Sequence, residues 1–137
     1  MIRVLFDHAC IRALAEGDEF LNGLYVEASY GYAEIVIPAV SATVAERERS
    51  GAGRHVLGRR FTTIADFTPA HALVAGAWRQ ADWRVLHPAS AVIVARQAGE
   101  DATLLSLDSD LYAGTGVSPL NPMGPRPRLF LSSLGGS

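Results

Sequence analysis

The sequence predicts an α/β fold built around a parallel or mixed sheet. Short apolar runs, typical of buried strands, alternate with longer segments whose apolar residues recur at helical spacing. Alternation of this kind favours parallel strands joined by right-handed crossovers. The chain has 137 residues, of which 49% are hydrophobic, and this fits one globular domain with its own core.

The first half of the chain contains two predicted strands and three predicted helices. Residues 2–6 form an apolar run typical of a buried strand, and helical spacing follows Asp7 until a glycine stops it. The segment from Leu21 to about Tyr32 is expected to be the second helix. Residues 34–38 are predicted as a short buried strand, and the helix after it, over 41–49, ends at a glycine-rich turn.

The second half continues the alternation. Residues 61–64 indicate a strand, and Thr68 with Pro69 is a favourable N-cap and first-turn pair for a helix over 69–81. A further helix is expected from Pro88 or Ala89 to Gln97, ahead of a buried strand at 102–107. The remaining predictions are a loop over 114–127, an edge strand at 128–132 and a frayed tail at 133–137.

Composition limits the function classes. The formal net charge is −2, which provides no overall attraction to nucleic acid or to anionic lipid. Cys10 is the lone cysteine, which excludes an internal disulfide. We find no signal peptide and no apolar run of membrane-spanning length, so we expect a cytoplasmic protein with no membrane contact.

Acidic residues follow two of the predicted buried strands. Asp7 comes directly after the first strand, and Asp108 and Asp110 come directly after the strand at 102–107. In α/β sheets, ligand sites form beyond the carboxyl ends of parallel strands. The sequence therefore predicts an acidic cleft shared by both ends of the chain, suited to a hard cation that prefers oxygen ligands.

Three stretches resemble the PIN-domain family, the nuclease fold of VapC-like toxins. They are Val4-Leu5-Phe6-Asp7, Ile37-Pro38-Ala39-Val40-Ser41-Ala42 and the segment from Ser90 to Asp110. The resemblance covers roughly the whole chain and implies a single PIN-like domain over 1–137. It also implies a three-layer α/β/α sandwich with a central, mainly parallel sheet, and RNA cleavage with a divalent metal.

The resemblance implies a depleted metal site. Asp7, Asp108 and Asp110 match family acids and are the expected catalytic ligands of Mg²⁺ or Mn²⁺, whereas Val44 and Ser90 stand where the family has two more acids. Ser90 offers only a neutral oxygen to such a site. Glu48 lies one helical turn beyond Val44, on much the same face of the helix, and is a candidate to replace the family acid that is missing there. Loss of two carboxylates implies weak metal binding and weak or absent ribonuclease activity.

Simpler structural roles stay open for these residues. Asp7 is equally suited to cap the first helix, 108–110 to form a turn, and Ser90 to lie at a helix N-terminus. His8 is a candidate phosphate contact or a packing residue. An arginine cluster around the glycine-rich turn predicts either a solvated surface or a phosphate-binding rim beside the cleft. The candidate substrate contacts within it are Arg54, Arg59 and Arg60.

Three functions therefore compete at this point. The first is a toxin-type, metal-dependent ribonuclease with a depleted site. The second is a catalytically inactive PIN-like module that binds RNA or a protein partner such as an antitoxin. The third is an unrelated small α/β protein in which the acids cap helices. The resemblance also implies a homodimer.

Overall fold

The computed structural model describes residues 2–122, which form a mixed α/β structure around one sheet. The predicted fold class is confirmed. In chain order the elements are β1 (Ile2–Phe6), α1 (His8–Ala15), α2 (Glu19–Ser29), β2 (Ala33–Pro38), α3 (Ala39–Glu48), α4 (Ala52–Leu57), β3 (Thr62–Ala65), α5 (Pro69–Ala75), α6 (Leu86–Gln97) and β4 (Thr103–Leu105). Short 3₁₀ helices span Trp83–Val85 and Ser109–Tyr112.

The four strands are all parallel and lie in the order β3-β2-β1-β4. Val4 in β1 is level with Ile35 in β2, which is level with Thr62 in β3. On the other side of β1, Phe6 is level with Leu105 in β4. The residues that follow β1, β2 and β4 therefore share one edge of the sheet, and those that precede the strands share the opposite edge.

Helices cover both faces of the sheet and make the three layers of the sandwich. Alternate strand residues face opposite sides. Val4, Phe6, Ile35 and Ile37 pack in the core that includes α1, α2 and α4. Leu5, Val36 and Leu104, which face the other side of the sheet, pack with Val92 of α6 in a second core. These two apolar layers fix β1 in the centre of the fold, with its carboxyl end facing the segment after β4.

Two helices differ from the sequence prediction because of local hydrogen bonds and turns. No helix was predicted at α4, and the glycine-rich turn expected at 50–53 overlaps its start. Glu46 accepts the backbone N–H groups of Gly51 at 2.7 Å and of Arg54 at 3.0 Å there. Gly51 also adopts a φ of 92°, which favours glycine. The predicted helix over 69–81 is shorter in the structure: α5 ends at Ala75, and turns at 76–77 and 79–80 follow it.

The end of the chain differs as well. The strand expected at 102–107 is limited to 103–105, after which the backbone N–H of Ser106 donates to Leu120 at 2.9 Å. The predicted edge strand at 128–132, the tail and the last part of the loop lie outside the described residues. Within residues 2–122, no helix combines the length and the apolar character needed to span a bilayer.

Candidate functional site

The carboxyl ends of β1 and β4 form the edge at which the sequence predicted an acidic site. Phe6 is level with Leu105, so Asp7 and Ser106 follow the two strands at the same height. The backbone N–H of Asp7 donates to the carbonyl of Leu105 at 3.4 Å. The residues after the first strand and those after the last strand therefore meet here.

The carboxylate of Asp7 is fully buried, with 0% exposure, and binds two protein donors. Oδ1 accepts the backbone N–H of Cys10 at 3.1 Å and so caps α1. Oδ2 accepts the hydroxyl of Tyr112 at 2.9 Å. Asp7 thus has the helix-capping role that was one of its two alternatives, and it also links α1 to the 3₁₀ helix after β4.

The groups around this carboxylate are neutral donors. Burial raises the pKa of Tyr112 well above its ordinary value, and the negative charge of Asp7 adds to the effect. Burial likewise raises the pKa of the Cys10 thiol, again with a contribution from Asp7. Tyr112 is therefore protonated at neutral pH and keeps its hydrogen bond to the carboxylate. Cys10 itself lies in the apolar core.

The two acids after β4 are exposed, unlike Asp7. Asp108 precedes the 3₁₀ helix that contains Asp110, and its backbone N–H donates to the hydroxyl of Ser106 at 3.0 Å. Across residues 2–122, no three His, Cys, Asp or Glu side chains stand close enough to share one metal ion. A Mg²⁺ or Mn²⁺ site on Asp7, Asp108 and Asp110 remains a prediction.

Val44 and Ser90, which stand where the PIN pattern has acids, are both buried. Val44 is 1% exposed within α3. Ser90 is 0% exposed, and its hydroxyl donates to the carbonyl of His87 at 3.0 Å. The prediction that Ser90 lies at a helix N-terminus is wrong, because α6 starts at Leu86. The helix can start before Pro88 because proline is tolerated in the first turn, where its missing N–H has no intrahelical partner to lose.

The glutamates near Val44 already have partners. Glu48 forms ion pairs with Arg12 at 3.4 Å and with Arg84 at 3.3 Å. Glu46 caps α4, and the backbone N–H donors of that cap lower the pKa of its carboxyl. Glu48 as a displaced metal ligand remains a prediction, and it would have to exchange two guanidinium partners for the cation.

His8 lies directly after Asp7 but is 2% exposed. Its Nδ1 has no hydrogen-bond partner among the described residues. Hydrogen bonds from Arg84 lower the pKa of the nearby Asp82 carboxyl to about 2, and a small electrostatic contribution from His8 acts in the same direction. Direct contact between His8 and a phosphate would require this buried ring to become accessible.

Two of the three arginines proposed as a phosphate rim are not beside the acidic edge. Arg59 and Arg60 precede β3, which places them at the amino-terminal edge of a parallel sheet, whereas Asp7 follows β1 at the carboxyl edge. From the register, Arg60 and Asp7 are separated by about 16 Å along the strand direction. The rim interpretation is therefore corrected for Arg59 and Arg60, whereas Arg54, which lies on α4, remains a predicted phosphate contact.

Tyr112 is the site residue that sequence reasoning missed. It lies in a polar segment after a strand, and no spacing rule connects a tyrosine there to the acid after the first strand. The sheet order supplies that connection, because β4 pairs with β1 rather than with its neighbours in sequence. No protein-family model matches the chain. No curated protein matches it either.

Proposed function

We propose that this chain is a PIN-like domain of the VapC type that acts as a binding module for a protein partner. Its acidic cleft is a structural contact rather than a ribonuclease centre. One observation carries the proposal: both carboxylate oxygens of Asp7 already accept hydrogen bonds from the protein, in a position with 0% exposure.

A metal-dependent nuclease needs a cation held by carboxylates and open to water and phosphate. To bind here, the cation would have to displace the Tyr112 hydroxyl and bring Asp7 into contact with solvent. Loss of one buried hydrogen bond costs about 1–3 kcal/mol. With Val44 and Ser90 supplying no carboxylate, little metal-binding free energy offsets that cost.

A groove between α3 and α4 is the surface best suited to a protein partner. It has a volume of about 570 Å³. Its apolar side chains are Ala42 and Leu57, and the rest of the lining consists of Gly53, Gly58, Thr43, Glu46, Arg47 and Arg54. Leu57 is 49% exposed. A partner that inserts an apolar side chain would bury Leu57 and gain about 25 cal/mol for each Å² of apolar area.

Charge at this groove favours an acidic partner. Arg47 and Arg54 line it, and Glu46 is occupied by its hydrogen bonds to the α4 backbone. None of the ion pairs within residues 2–122 includes either arginine, although the Arg47 guanidinium lies over the Trp83 ring at 5.8 Å. An amphipathic segment with an apolar anchor and flanking carboxylates fits this combination, as in helix-in-groove recognition.

RNA is the weaker candidate for the same surface. Arg49 is paired with Glu16 at 3.5 Å, and the Arg59 guanidinium lies over the Tyr25 ring at 4.4 Å. Arg59 Nε also lies 3.1 Å from the Nε2 of His55. These contacts leave fewer free cations for phosphates than the sequence suggests. The mainly apolar lining likewise suits a peptide better than a nucleic-acid backbone.

The loss of catalysis is tested by RNA cleavage with added Mg²⁺ or Mn²⁺. We expect no cleavage above a metal-free control, and no shift of the melting temperature on addition of either ion. Metal-dependent cleavage that disappears in the double variant Asp108→Asn/Asp110→Asn would overturn this part of the proposal. That variant is a clean probe because both side chains are exposed.

The binding role is tested by co-expression with an antitoxin-type small protein, taken from beside the gene for this chain where the genome encodes one there. We expect the two proteins to co-elute, and we expect Leu57→Asp to abolish the complex. Val26→Asp is the matched control, because Val26 is 50% exposed on α2, and no residue of α2 lines the groove. Binding of a labelled single-stranded RNA that is lost in Leu57→Asp would instead favour the RNA-binding alternative.

A further inference from the structure

A second cavity lies on the face of the sheet opposite to the layer that holds α3 and α4. It has a volume of about 340 Å³ and lies between β1, β2 and β3 on one side and α5 and α6 on the other. Its floor contains Leu5, Val36 and Thr63, which are level with one another across the three strands. A mainly apolar cavity of this size with a few polar groups is typical of a small-molecule site.

The wall that α6 contributes consists of small side chains. They recur at helical spacing on one face of the helix and are Ala91, Val94, Ala95 and Ala98. Because three of the four are alanines, the side chains of α6 do not fill the space above the sheet. Ala91 and Val36 are each only 9% exposed, so an apolar group placed between them would be shielded from water.

One end of the cavity carries an excess of negative charge. Arg3 in β1 is level with Glu34 in β2, and its Nε lies 3.2 Å from the Glu34 Oε2. Arg3 Nη1 also contacts Oε2 of Glu100, which precedes β4. All three side chains line the cavity, so two carboxylates share one guanidinium. Within residues 2–122, the Oε1 atom of neither glutamate accepts a hydrogen bond.

His71 of α5 lies at the other end of the cavity. Its ring is 8% exposed, and its Nδ1 accepts the backbone N–H of Thr68 at 3.0 Å. Burial lowers the pKa of this imidazole, so it adds no positive charge at neutral pH. From the register, the level of Glu34 is about 13 Å from that of Ala65 along the strands, which gives the length of the cavity.

We propose that this cavity binds a small amphiphilic amine, with its apolar body between α6 and the sheet and its ammonium group on Glu34 and Glu100. Charge complementarity carries the assignment, because Arg3 neutralises only one of the two carboxylates and occupies one oxygen of each. An ammonium donor at the remaining oxygens completes charge-assisted hydrogen bonds. An anionic ligand would meet the excess of carboxylate instead. The site is separate from the groove between α3 and α4, which lies on the other side of the sheet.

Tryptamine is the probe, because it joins an indole ring to a primary ammonium group. Calorimetry with the unmodified chain should show saturable binding with a Kd of about 1 mM or lower. Indole-3-propionate, which carries a carboxylate on the same ring, is the matched ligand and should bind about tenfold more weakly or worse. Absence of saturable tryptamine binding overturns the proposal, and so does equal affinity for the two ligands.

Two charge variants test the position of the ammonium group. Glu34→Gln should weaken tryptamine binding about tenfold. Glu19→Gln is the control, since it removes the same charge from an exposed position on α2 outside the cavity. Arg3→Gln should strengthen binding, because both glutamates lose their cationic partner. A gain of affinity cannot come from misfolding, whereas weaker binding in Arg3→Gln or unchanged binding in Glu34→Gln would overturn the proposal.

A cavity-filling variant tests the position of the apolar body. Ala95→Leu extends a side chain from α6 into the cavity and should abolish tryptamine binding, with circular dichroism identical to wild type. Ala72→Leu is the matched control, because Ala72 is exposed on α5 and does not line the cavity. Tryptamine affinity that Ala95→Leu leaves unchanged would place the ligand elsewhere and overturn the proposal.

Discussion

Tyr112 and Asp7, 105 residues apart in the chain, share a buried hydrogen bond of 2.9 Å between the phenolic hydroxyl and the carboxylate. This bond joins the start of α1 to the 3₁₀ helix after β4, at the edge where the sequence predicted a metal. The Asp7 oxygen that accepts this bond would also be a ligand of the predicted metal ion, so the hydrogen bond and metal binding compete for it. Its present partner is a neutral donor that burial keeps protonated.

Tyr112→Phe is expected to destabilise the fold by about 1–3 kcal/mol, because it removes a donor and leaves a buried carboxylate oxygen unsatisfied. Urea unfolding at neutral pH measures this difference. Tyr30→Phe is the matched control, since Tyr30 is 69% exposed and its hydroxyl can bond to water. A Tyr112→Phe chain as stable as the Tyr30→Phe chain would show that the buried bond contributes nothing.

Asp7→Ala is expected to cost about 2–4 kcal/mol, since it removes the N-cap of α1 and the acceptor of Tyr112 together. Asp18→Ala is the comparison, because Asp18 caps α2 through a single bond to the Leu21 N–H at 2.9 Å. That change should cost about 1 kcal/mol. Equal losses in the two variants, measured by urea unfolding, would argue against the second role of Asp7.

His87 joins three parts of the fold through a neutral ring. Its Nδ1 lies 3.2 Å from the backbone N–H of Val40, in the first turn of α3, and accepts that hydrogen bond. Its Nε2 then carries the proton and donates to the carbonyl of Asp66 at 3.2 Å. Burial, with a smaller contribution from the neighbouring His71, lowers the pKa of His87 to about 4. The pKa of His71 itself is also lowered, mainly by burial.

The free energy of unfolding is therefore expected to decrease as the pH is lowered through a defined window. The unfolded chain protonates His87 near pH 6.5, before the folded chain does, so stability is complete above that pH. It declines as the pH falls from about 6.5 to about 4, by up to about 3 kcal/mol from His87, and His71 acts in the same direction.

Urea unfolding across this pH range measures the decline, and NMR titration assigns it. The His87 ring should titrate near pH 4. A His87 ring that titrates at its ordinary pKa of about 6.5 would contradict the buried, neutral state. His55→Gln serves as the control, because His55 is exposed and its removal should leave most of the decline in place.

Much of the fold follows from local sequence signals. The strands β1 and β2 are apolar runs with few alternatives, and Thr68 with Pro69 opens α5 as expected. The α4 helix was missed because its cap comes from Glu46, on the preceding helix, rather than from a residue at its own N-terminus. Capping rules that look only at adjacent residues cannot detect such a contact.

The candidate site was less predictable than the fold. That Asp7 and the segment after β4 share an edge follows from strand alternation and the rule on parallel sheets. Which groups surround a carboxylate depends on side chains brought together by tertiary structure, as Tyr112 is. The arginines were misplaced because their nearness to the cleft was inferred without the strand direction, which puts Arg59 and Arg60 at the opposite edge.

Gly53 marks the closest approach between α3 and α4, next to the proposed partner groove. A Cβ at this position would lie 2.3 Å from the carbonyl oxygen of Ala42 and 2.9 Å from the Glu46 Cβ. Gly53→Ala should therefore force the two helices apart and destabilise the fold by about 1–3 kcal/mol. It should also weaken partner binding, because the groove walls move.

Gly23→Ala is the control for this substitution. Gly23 lies within α2, and a Cβ there meets no atom within 4 Å. The change should stabilise the fold by about 0.5–1 kcal/mol, since alanine is the better helix former. Urea unfolding of both variants distinguishes steric conflict from helix propensity: opposite signs support the close α3–α4 contact, whereas stabilisation by both changes would contradict it.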